Sequence, residues 1–167
     1  ILLREGILNT NNIFLSARYK FYLALTLKAL NRHKEAILWF KEKLKYNDMD
    51  EEMYFCYLQM GRCYIELFSE LKRNFLKDKS ILPSKKFEKI QEYRNLALET
   101  FLNGYEIKKI RSEVIFEICK IYLVERNISE LEKYVNIGKS IKIPETEILF
   151  LELHCYNYMF LSLEIDL

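Results

Sequence analysis

Glycine and proline are scarce in this chain, and their scarcity limits the possible folds more than any other feature. The 167 residues contain 4 Gly and 2 Pro. Because those two residues build tight turns, their scarcity argues against a β-sandwich or barrel of many short strands. Valine occurs only at Val114, Val124 and Val135, whereas leucine, isoleucine, lysine and glutamate abound. That bias is typical of helices and not of strands, so the sequence predicts an all-α protein.

The charge balance narrows the classes of partner. The 26 Lys and Arg residues nearly match the 24 Asp and Glu residues, which leaves a net charge of +2. A nucleic-acid-binding protein would carry a larger excess of lysine and arginine, so no nucleic-acid partner is predicted. No segment reaches the about 18 uninterrupted apolar residues of a membrane span. The nearest, residues 148–167, contains Glu152, His154, Glu164 and Asp166.

The cysteines indicate a reducing compartment. Cys56, Cys63, Cys119 and Cys155 each lie in an apolar stretch with helical spacing. We therefore expect buried, reduced thiols and a cytoplasmic protein. The chain begins with Ile1, inside a run of regularly spaced apolar residues. We expect it to be a fragment of a longer polypeptide.

Apolar residues with a 3.6-residue period predict helices that come in pairs. The predicted helices cover residues 1–8, 16–30, 34–45, 50–68, 87–105, 112–124 and 130–139. Pro144 then stands where a proline opens a final helix. Turns at Asn31 and Arg32, and at Arg126 and Asn127, separate two of the pairs.

The helix pairs repeat along the chain. Ala36 and Phe40 recur as Ala97 and Phe101, and Leu131 follows Ala97 by 34 residues. This period and the A-x3-F spacing resemble the tetratricopeptide repeat (TPR), a pair of antiparallel helices. The resemblance implies a right-handed α-α superhelix in a single domain over residues 1–167. Its repeats would cover about residues 16–46, 50–109 and 111–143, followed by a trailing helix over residues 145–163.

Small and aromatic residues occupy the positions where repeat helices touch. Small side chains there let helix axes approach to about 8 Å. The predicted structural repeat positions are Ala24, Ala36, Phe40, Gly61, Tyr64, Ala97, Phe101, Cys119 and Tyr122.

The second repeat is longer than the others by about two dozen residues, near residues 70–93. This insert is locally basic, with Pro83 and Ser84 as an expected break. It is predicted either to dock an anionic partner, a membrane surface or a catalytic domain, or to form a solvated, mobile loop.

Several stretches resemble the helical tail that follows the catalytic domain in a group of family 2 glycosyltransferases. They are residues 18–24 (RYKFYLA), 36–40 (AILWF), 50–54 (DEEMY), 97–105 (ALETFLNGY), 138–144 (GKSIKIP), 148–152 (ILFLE) and 155–158 (CYNY). The resemblance runs from about Glu5 to Tyr158. It implies a nucleotide-sugar-using α/β domain upstream, and a tail that holds partners or orients the enzyme.

No catalytic residue, cofactor or metal site is predicted. Asp48-Met49-Asp50 spells the D-x-D of many glycosyltransferases, but it joins two helices and does not end a strand. His33 and His154 are the only histidines. His154 and Cys155 are adjacent, so on a helix their side chains are expected to diverge.

A binding groove is the natural product of stacked helical hairpins, because the first helix of each pair lines a concave face. The repeats predict a groove lined by Arg18, Phe21, Leu25, Lys28, Phe55, Leu58, Arg62, Ile65, Glu113, Phe116, Lys120 and Leu123. We call these residues the predicted groove. Its apolar and aromatic character suits an extended or helical peptide. The alternative, which the residues leave open, is that the apolar members are interhelical core.

The predicted function is a noncatalytic interaction module that positions a family 2-like glycosyltransferase on a partner or acceptor. Its partner would be a protein, a peptide or the catalytic domain of the same chain. The alternative is a freestanding TPR adaptor that binds a peptide in its groove. A third option is that the insert and the groove contact a sugar acceptor directly.

Overall fold

A computed structural model describes residues 2–46, 49–77, 83–146, 149–156 and 160. The helices are α1 (Leu2–Asn9), α2 (Ile13–Ala29), α3 (His33–Leu44), α4 (Asp50–Lys77), α5 (Pro83–Ile107), α6 (Glu113–Glu125) and α7 (Ile128–Ser140), followed by a 3-10 helix at Leu153–Cys155. No strand occurs among these residues, and the predicted all-α class is confirmed. In this part of the chain, every helix is too short or too polar to traverse a bilayer.

The turn between α2 and α3 is closed by two backbone hydrogen bonds. The amide of Asn31 donates to the carbonyl of Lys28 over 2.9 Å, and the amide of Arg32 donates to that of Leu27 over 2.9 Å. Asn31 has a φ of 57°, in the left-handed region. This is the Schellman motif that ends many helices, formed here with asparagine in place of the usual glycine.

The turn between α6 and α7 is built in the same way. Arg126 has a φ of 55°, and its amide donates to the carbonyl of Leu123 over 3.0 Å. The amide of Asn127 donates to the carbonyl of Tyr122 over 3.0 Å. The Asn127 side chain then caps α7 by accepting from the amide of Glu130. Both predicted hairpin turns are confirmed. The sequence could predict them because each turn depends on only a few neighbouring residues.

The described structure divides into two compact units, and the division falls inside α4 and α5. Unit 1 contains residues 1–48 and 59–100. There α1 packs on α2, and α2 packs on α3. Ala24 and Ala36 are fully buried in the α2–α3 hairpin. The Lys28 ammonium of α2 donates to the Gln59 side chain of α4 over 2.6 Å.

Unit 2 contains residues 49–58 and 101–167. There α6 packs on α7. The end of α5 lies close to the beginning of α4, because a Cβ on Gly104 would lie 3.0 Å from the Cβ of Tyr57. The same Cβ would lie 3.2 Å from a methyl group of Val114 in α6. The core of the unit includes the fully buried Tyr54, Leu58, Phe101, Ile115, Ile118, Cys119 and Leu131.

Eight of the nine predicted repeat positions are buried, and Tyr122 is half-buried. The Tyr122 ring stacks on that of Tyr134, with 5.7 Å between centroids. Burial at these positions fits a repeat of helical hairpins, but the repeat assignment itself stays a prediction.

The predicted trailing helix over residues 145–163 is wrong for the described residues between 145 and 156. Glu145 and Thr146 form a bend, residues 149–152 are not helical, and residues 153–155 form a 3-10 turn, whereas Phe160 is helical. Phe150 has a left-handed φ of 59°, which an α-helix does not accommodate. Residues 147–148, 157–159 and 161–163 of this prediction lie outside the described residues.

The predicted loop in the basic insert is also wrong where it is described. The insert continues two helices, because α4 extends to Lys77 and α5 begins at Pro83. Proline suits the first position of a helix, where its missing amide is not needed. Residues 78–82 and Asp48 of the D-x-D tripeptide lie outside the described residues.

Substitution of Gly138 tests the packing of unit 2. A Cβ on Gly138 would overlap the ring of Phe160, which is fully buried. We expect Gly138→Ala to lower the free energy of unfolding by about 1–3 kcal/mol, the range of core overpacking. The higher helix propensity of alanine acts in the opposite direction and by itself would raise the free energy of unfolding by about 1 kcal/mol.

Urea unfolding followed by far-UV circular dichroism measures this change. Asn136→Ala, on the exposed side of α7, is the matched control and is expected to keep or raise stability. A Gly138→Ala variant that is more stable than the parent would contradict the packing described here.

Candidate functional site

Three aromatic or aliphatic members of the predicted groove are buried. Phe21 and Leu58 are fully buried, and Phe116 is 4% exposed. Their burial favours the alternative that these three side chains are interhelical core, and the groove assignment itself stays a prediction. The apolar spacing that placed them on one helix face does not distinguish a face toward a ligand from a face toward another helix.

The other members of the predicted groove keep some exposed surface, except Glu113. Arg18, Leu25, Lys28, Phe55, Arg62, Ile65 and Leu123 are half-buried, and Lys120 is exposed. Lys120 pairs with Glu117 over 2.6 Å and lies over the ring of Phe116. The predicted groove residues divide equally between the two units. Unit 1 contains Arg18, Phe21, Leu25, Lys28, Arg62 and Ile65, and unit 2 contains Phe55, Leu58, Glu113, Phe116, Lys120 and Leu123.

A stretch of the chain itself packs on two of the predicted groove residues of unit 2, Phe55 and Phe116. We call residues 149–156 the C-terminal segment. Its Phe150 ring stacks on Phe55, with 4.2 Å between centroids and 16° between planes. The His154 ring meets Phe116 edge-on at 6.3 Å, and Phe160 meets it edge-on at 5.8 Å. These aromatic contacts account for the burial of Phe116.

Side chains near the start of α6 hold the main chain of the C-terminal segment. The two terminal nitrogens of Arg111 donate to the carbonyls of Leu149 and Phe150, each over 3.1 Å. The Glu113 carboxylate accepts from the amide of Glu152 over 3.1 Å. Ser112 Oγ donates to the carbonyl of Cys155 over 2.6 Å. All four contacts are made to main-chain groups, so they do not depend on the side-chain sequence of the segment.

The Arg111–Glu113 pair at the centre of these contacts is buried. The two side chains are 1% and 0% exposed. Arg111 Nη2 donates to Glu113 Oε1 over 2.7 Å, and Nε donates to Oε2 over 3.1 Å, which makes the pair bidentate. Glu113 Oε2 also accepts from the hydroxyl of Tyr54 over 2.9 Å and from that of Tyr156 over 3.3 Å. Arg111, Tyr54 and Tyr156 thus all donate to the same carboxylate.

Burial and charge shift the acidities in this network. Burial, followed by the charge of Glu113, raises the pKa of Tyr54 well above its ordinary value. The same two causes raise the pKa of Tyr156 to about 12. Burial lowers the pKa of Arg111, but the hydrogen bond and charge of Glu113 outweigh it, so that pKa is raised. At neutral pH both phenols are therefore protonated donors, and the guanidinium is charged.

Sequence reasoning missed most of this network. It assigned Glu113 to a groove lining, and it gave no role to Arg111, Tyr54 or Tyr156. The sequence feature that could have indicated the network was Arg111-Ser112-Glu113 at the start of a strongly apolar helix. Charged residues at a helix start are usually solvent-exposed, so this pattern alone does not predict a buried pair.

The structure also corrects the expected divergence of His154 and Cys155. In the 3-10 turn, His154 Nε2 lies 3.4 Å from Cys155 Sγ. Glu152 Oε2 lies 3.7 Å from the same nitrogen and 3.8 Å from the sulfur. These three side chains form the one group of metal-ligand types found close together in the described residues. Glu152 and Cys155 are three residues apart, and a 3-10 turn eclipses such residues; the His154 ring reaches the same point in this turn.

Comparison with known proteins gives this chain no relative: no family model, no curated protein sequence and no solved structure matches it.

Glu113→Gln tests the buried pair. The amide keeps the size of the side chain but removes its charge and leaves the Arg111 guanidinium buried without a counter-ion. We expect the free energy of unfolding to fall by about 3–5 kcal/mol, the range for breaking a buried pair. Urea unfolding measures the loss. Glu35→Gln, at the exposed Arg32–Glu35 pair, is the matched control and should leave the unfolding midpoint unchanged; equal losses in both variants would contradict this account.

Alkaline titration tests the two phenols. Tyrosines in the unfolded chain ionise near pH 10, whereas Tyr54 and Tyr156 keep their protons to higher pH in the native protein. Their stabilising contribution is therefore complete below about pH 10 and falls as the pH rises from there through the native pKa values. Tyrosinate absorbance should show a late component that is absent in urea.

The late component should shrink in Tyr54→Phe and in Tyr156→Phe. If the native titration curve superimposes on the curve in urea, the two phenols are not buried in this network.

Proposed function

We propose that this chain is a noncatalytic interaction module of the TPR type, a right-handed α-α superhelix of about three helical hairpins. The identical Schellman turns after α2 and α6 support this proposal, since repeats reuse one turn. The burial of Ala36, Ala97 and Leu131 at corresponding repeat positions supports it as well.

One observation carries the functional part of the proposal: Phe55 of α4 and the residues at and just before the start of α6 hold a segment of polypeptide that is not an α-helix. Arg111, Ser112 and Glu113 bind its main chain, and Phe55 stacks on its aromatic side chain. These are the interactions by which helical repeat domains recognise peptides. We therefore propose that the partner is a protein or peptide segment, or the catalytic domain of the same polypeptide.

We further propose that the module belongs to the C-terminal region of a family 2-like glycosyltransferase, and that it positions the enzyme on its partner or acceptor. The ordered resemblance from about Glu5 to Tyr158 supports this. A cytoplasmic location is proposed with it, because all four cysteines are buried thiols that form no disulfide.

A kinetic comparison on the full-length protein tests this function. Lys120 is an exposed groove residue paired with Glu117, and Lys133 makes the same kind of pair with Glu130 outside the predicted groove. We expect Lys120→Ala to raise the KM for a protein acceptor about tenfold, the effect of one interface contact of about 1.4 kcal/mol. Lys133→Ala should leave that KM unchanged.

The assay follows sugar transfer to the acceptor together with hydrolysis of the nucleotide sugar in its absence. A positioning module alters only transfer. If Lys120→Ala lowers hydrolysis as much as transfer, the module acts on the catalytic step and the proposal fails. The link to a glycosyltransferase fails if the reading frame upstream of Ile1 encodes no α/β domain with a D-x-D at a strand end.

A freestanding peptide-binding adaptor is the second candidate. The same observation favours it, since the main-chain contacts of the C-terminal segment need no attached enzyme. The upstream reading frame distinguishes the two: a helical hairpin or an initiator methionine directly before Ile1 supports the adaptor.

A further inference from the structure

The 3-10 turn in the C-terminal segment brings three different metal-ligand groups together at the surface. We propose that Glu152 Oε2, His154 Nε2 and Cys155 Sγ bind one divalent ion of the zinc class. This site is independent of the proposed function, because it uses none of the side chains that bind the main chain of the C-terminal segment.

The distances between the three atoms are close to those of a tetrahedral zinc site. Zinc binds cysteine sulfur at about 2.3 Å, histidine nitrogen at about 2.0–2.1 Å and carboxylate oxygen at about 2.0–2.2 Å. Tetrahedral angles then put the ligand atoms about 3.4–3.6 Å from one another. The observed separations are 3.4 Å for Sγ–Nε2, 3.7 Å for Nε2–Oε2 and 3.8 Å for Sγ–Oε2. Side-chain adjustments of a few tenths of an ångström complete the site.

The backbone fixes two of the ligands on the same side of the turn. The amide of Cys155 donates to the carbonyl of Glu152 over 2.9 Å, which closes the 3-10 turn. Residues three apart in such a turn are eclipsed, so the Glu152 and Cys155 side chains lie one above the other. The His154 side chain reaches the same point from between them.

Contacts with α6 and with Ser112 directly before it support each ligand. The Glu152 amide is bound by Glu113, and the Cys155 carbonyl is bound by Ser112. The His154 ring rests edge-on against Phe116. Supporting contacts of this kind hold metal ligands in place before the ion binds and so raise affinity.

The ligand types select the ion. A thiolate and an imidazole favour zinc-class ions over Mg²⁺ and Ca²⁺, which prefer a shell of oxygen atoms. Three protein ligands also leave one position of a tetrahedral ion for water or an external donor. The exposure fits that geometry, because Cys155 is buried, Glu152 is partly buried and the His154 side chain is 61% exposed.

The other cysteines have a different environment. Cys56, Cys63 and Cys119 are buried in helices, and burial raises the pKa of both Cys63 and Cys119 to about 12. Within the described part of the chain, Cys155 alone meets both an imidazole and a carboxylate at ligand distances. Core packing explains the first three cysteines but not this arrangement.

Cobalt titration tests the proposal, because Co²⁺ replaces zinc and absorbs visible light. We expect the metal-free 167-residue chain to bind one equivalent of Co²⁺, with the d–d bands of a four-coordinate ion and a thiolate-to-metal charge-transfer band. Zn²⁺ should abolish both signals, whereas excess Mg²⁺ or Ca²⁺ should leave them unchanged.

Three variants and a matched control locate the ion. Cys155→Ser should remove the charge-transfer band, and His154→Ala and Glu152→Gln should each weaken Co²⁺ binding about a hundredfold. His33→Ala changes the only other histidine and should leave the affinity unchanged. His154 is exposed, so its variant tests the site even if the buried Cys155 tolerates no substitution, as far-UV circular dichroism will report.

The proposal is overturned if the chain gives no charge-transfer band with Co²⁺. It is also overturned if His154→Ala binds Co²⁺ as tightly as the parent, or if His33→Ala weakens binding as much as His154→Ala. None of these three results would affect the proposed binding of a protein partner, which is measured by acceptor KM.

Discussion

The buried Arg111–Glu113 pair is the interaction on which unit 2 depends. Removing two charges from water costs several kcal/mol for each ion, and only close pairing with further hydrogen bonds offsets that cost. Glu113 meets this demand by accepting from Arg111, Tyr54, Tyr156 and the amide of Glu152. It is also the first residue of α6, where the helix dipole favours a negative charge. The Glu113 carboxylate thus joins α6 to Tyr54, which lies 59 residues before it, and to Tyr156, which lies 43 residues after it.

The same network explains why the C-terminal segment is not a helix. Helix formation would require the carbonyls of Leu149 and Phe150 for bonds within the segment, but Arg111 already binds both. Charged donors make stronger hydrogen bonds than neutral amides. The left-handed Phe150 then turns its ring onto Phe55, and the tight turn that follows brings Glu152, His154 and Cys155 together. The candidate metal site therefore lies on a segment whose main chain the ion pair helps to hold.

The sequence predicts local features of this structure well and long-range ones poorly. The seven helices and the turns at Asn31 and Arg126 follow from spacing and end signals within a few residues. The C-terminal segment has an apolar pattern typical of a helix, and its real conformation is set by side chains about 40 residues earlier. The buried state of Phe21, Leu58 and Phe116 was equally inaccessible, because apolar periodicity identifies a face but not its neighbour. The TPR and glycosyltransferase assignments stay predictions.

The position of the network along the chain has a consequence for synthesis on the ribosome. Unit 1 consists of residues 1–48 and 59–100, all of which are made before α6. Arg111 and Glu113, in contrast, emerge well before Glu152 and Tyr156, their last partners. Until residues 149–156 leave the exit tunnel, the nascent chain holds an incompletely bonded ion pair and an uncovered Phe116. Unit 2 therefore completes its fold only after residues 149–156 emerge, and chaperones and proteases have access to it until then.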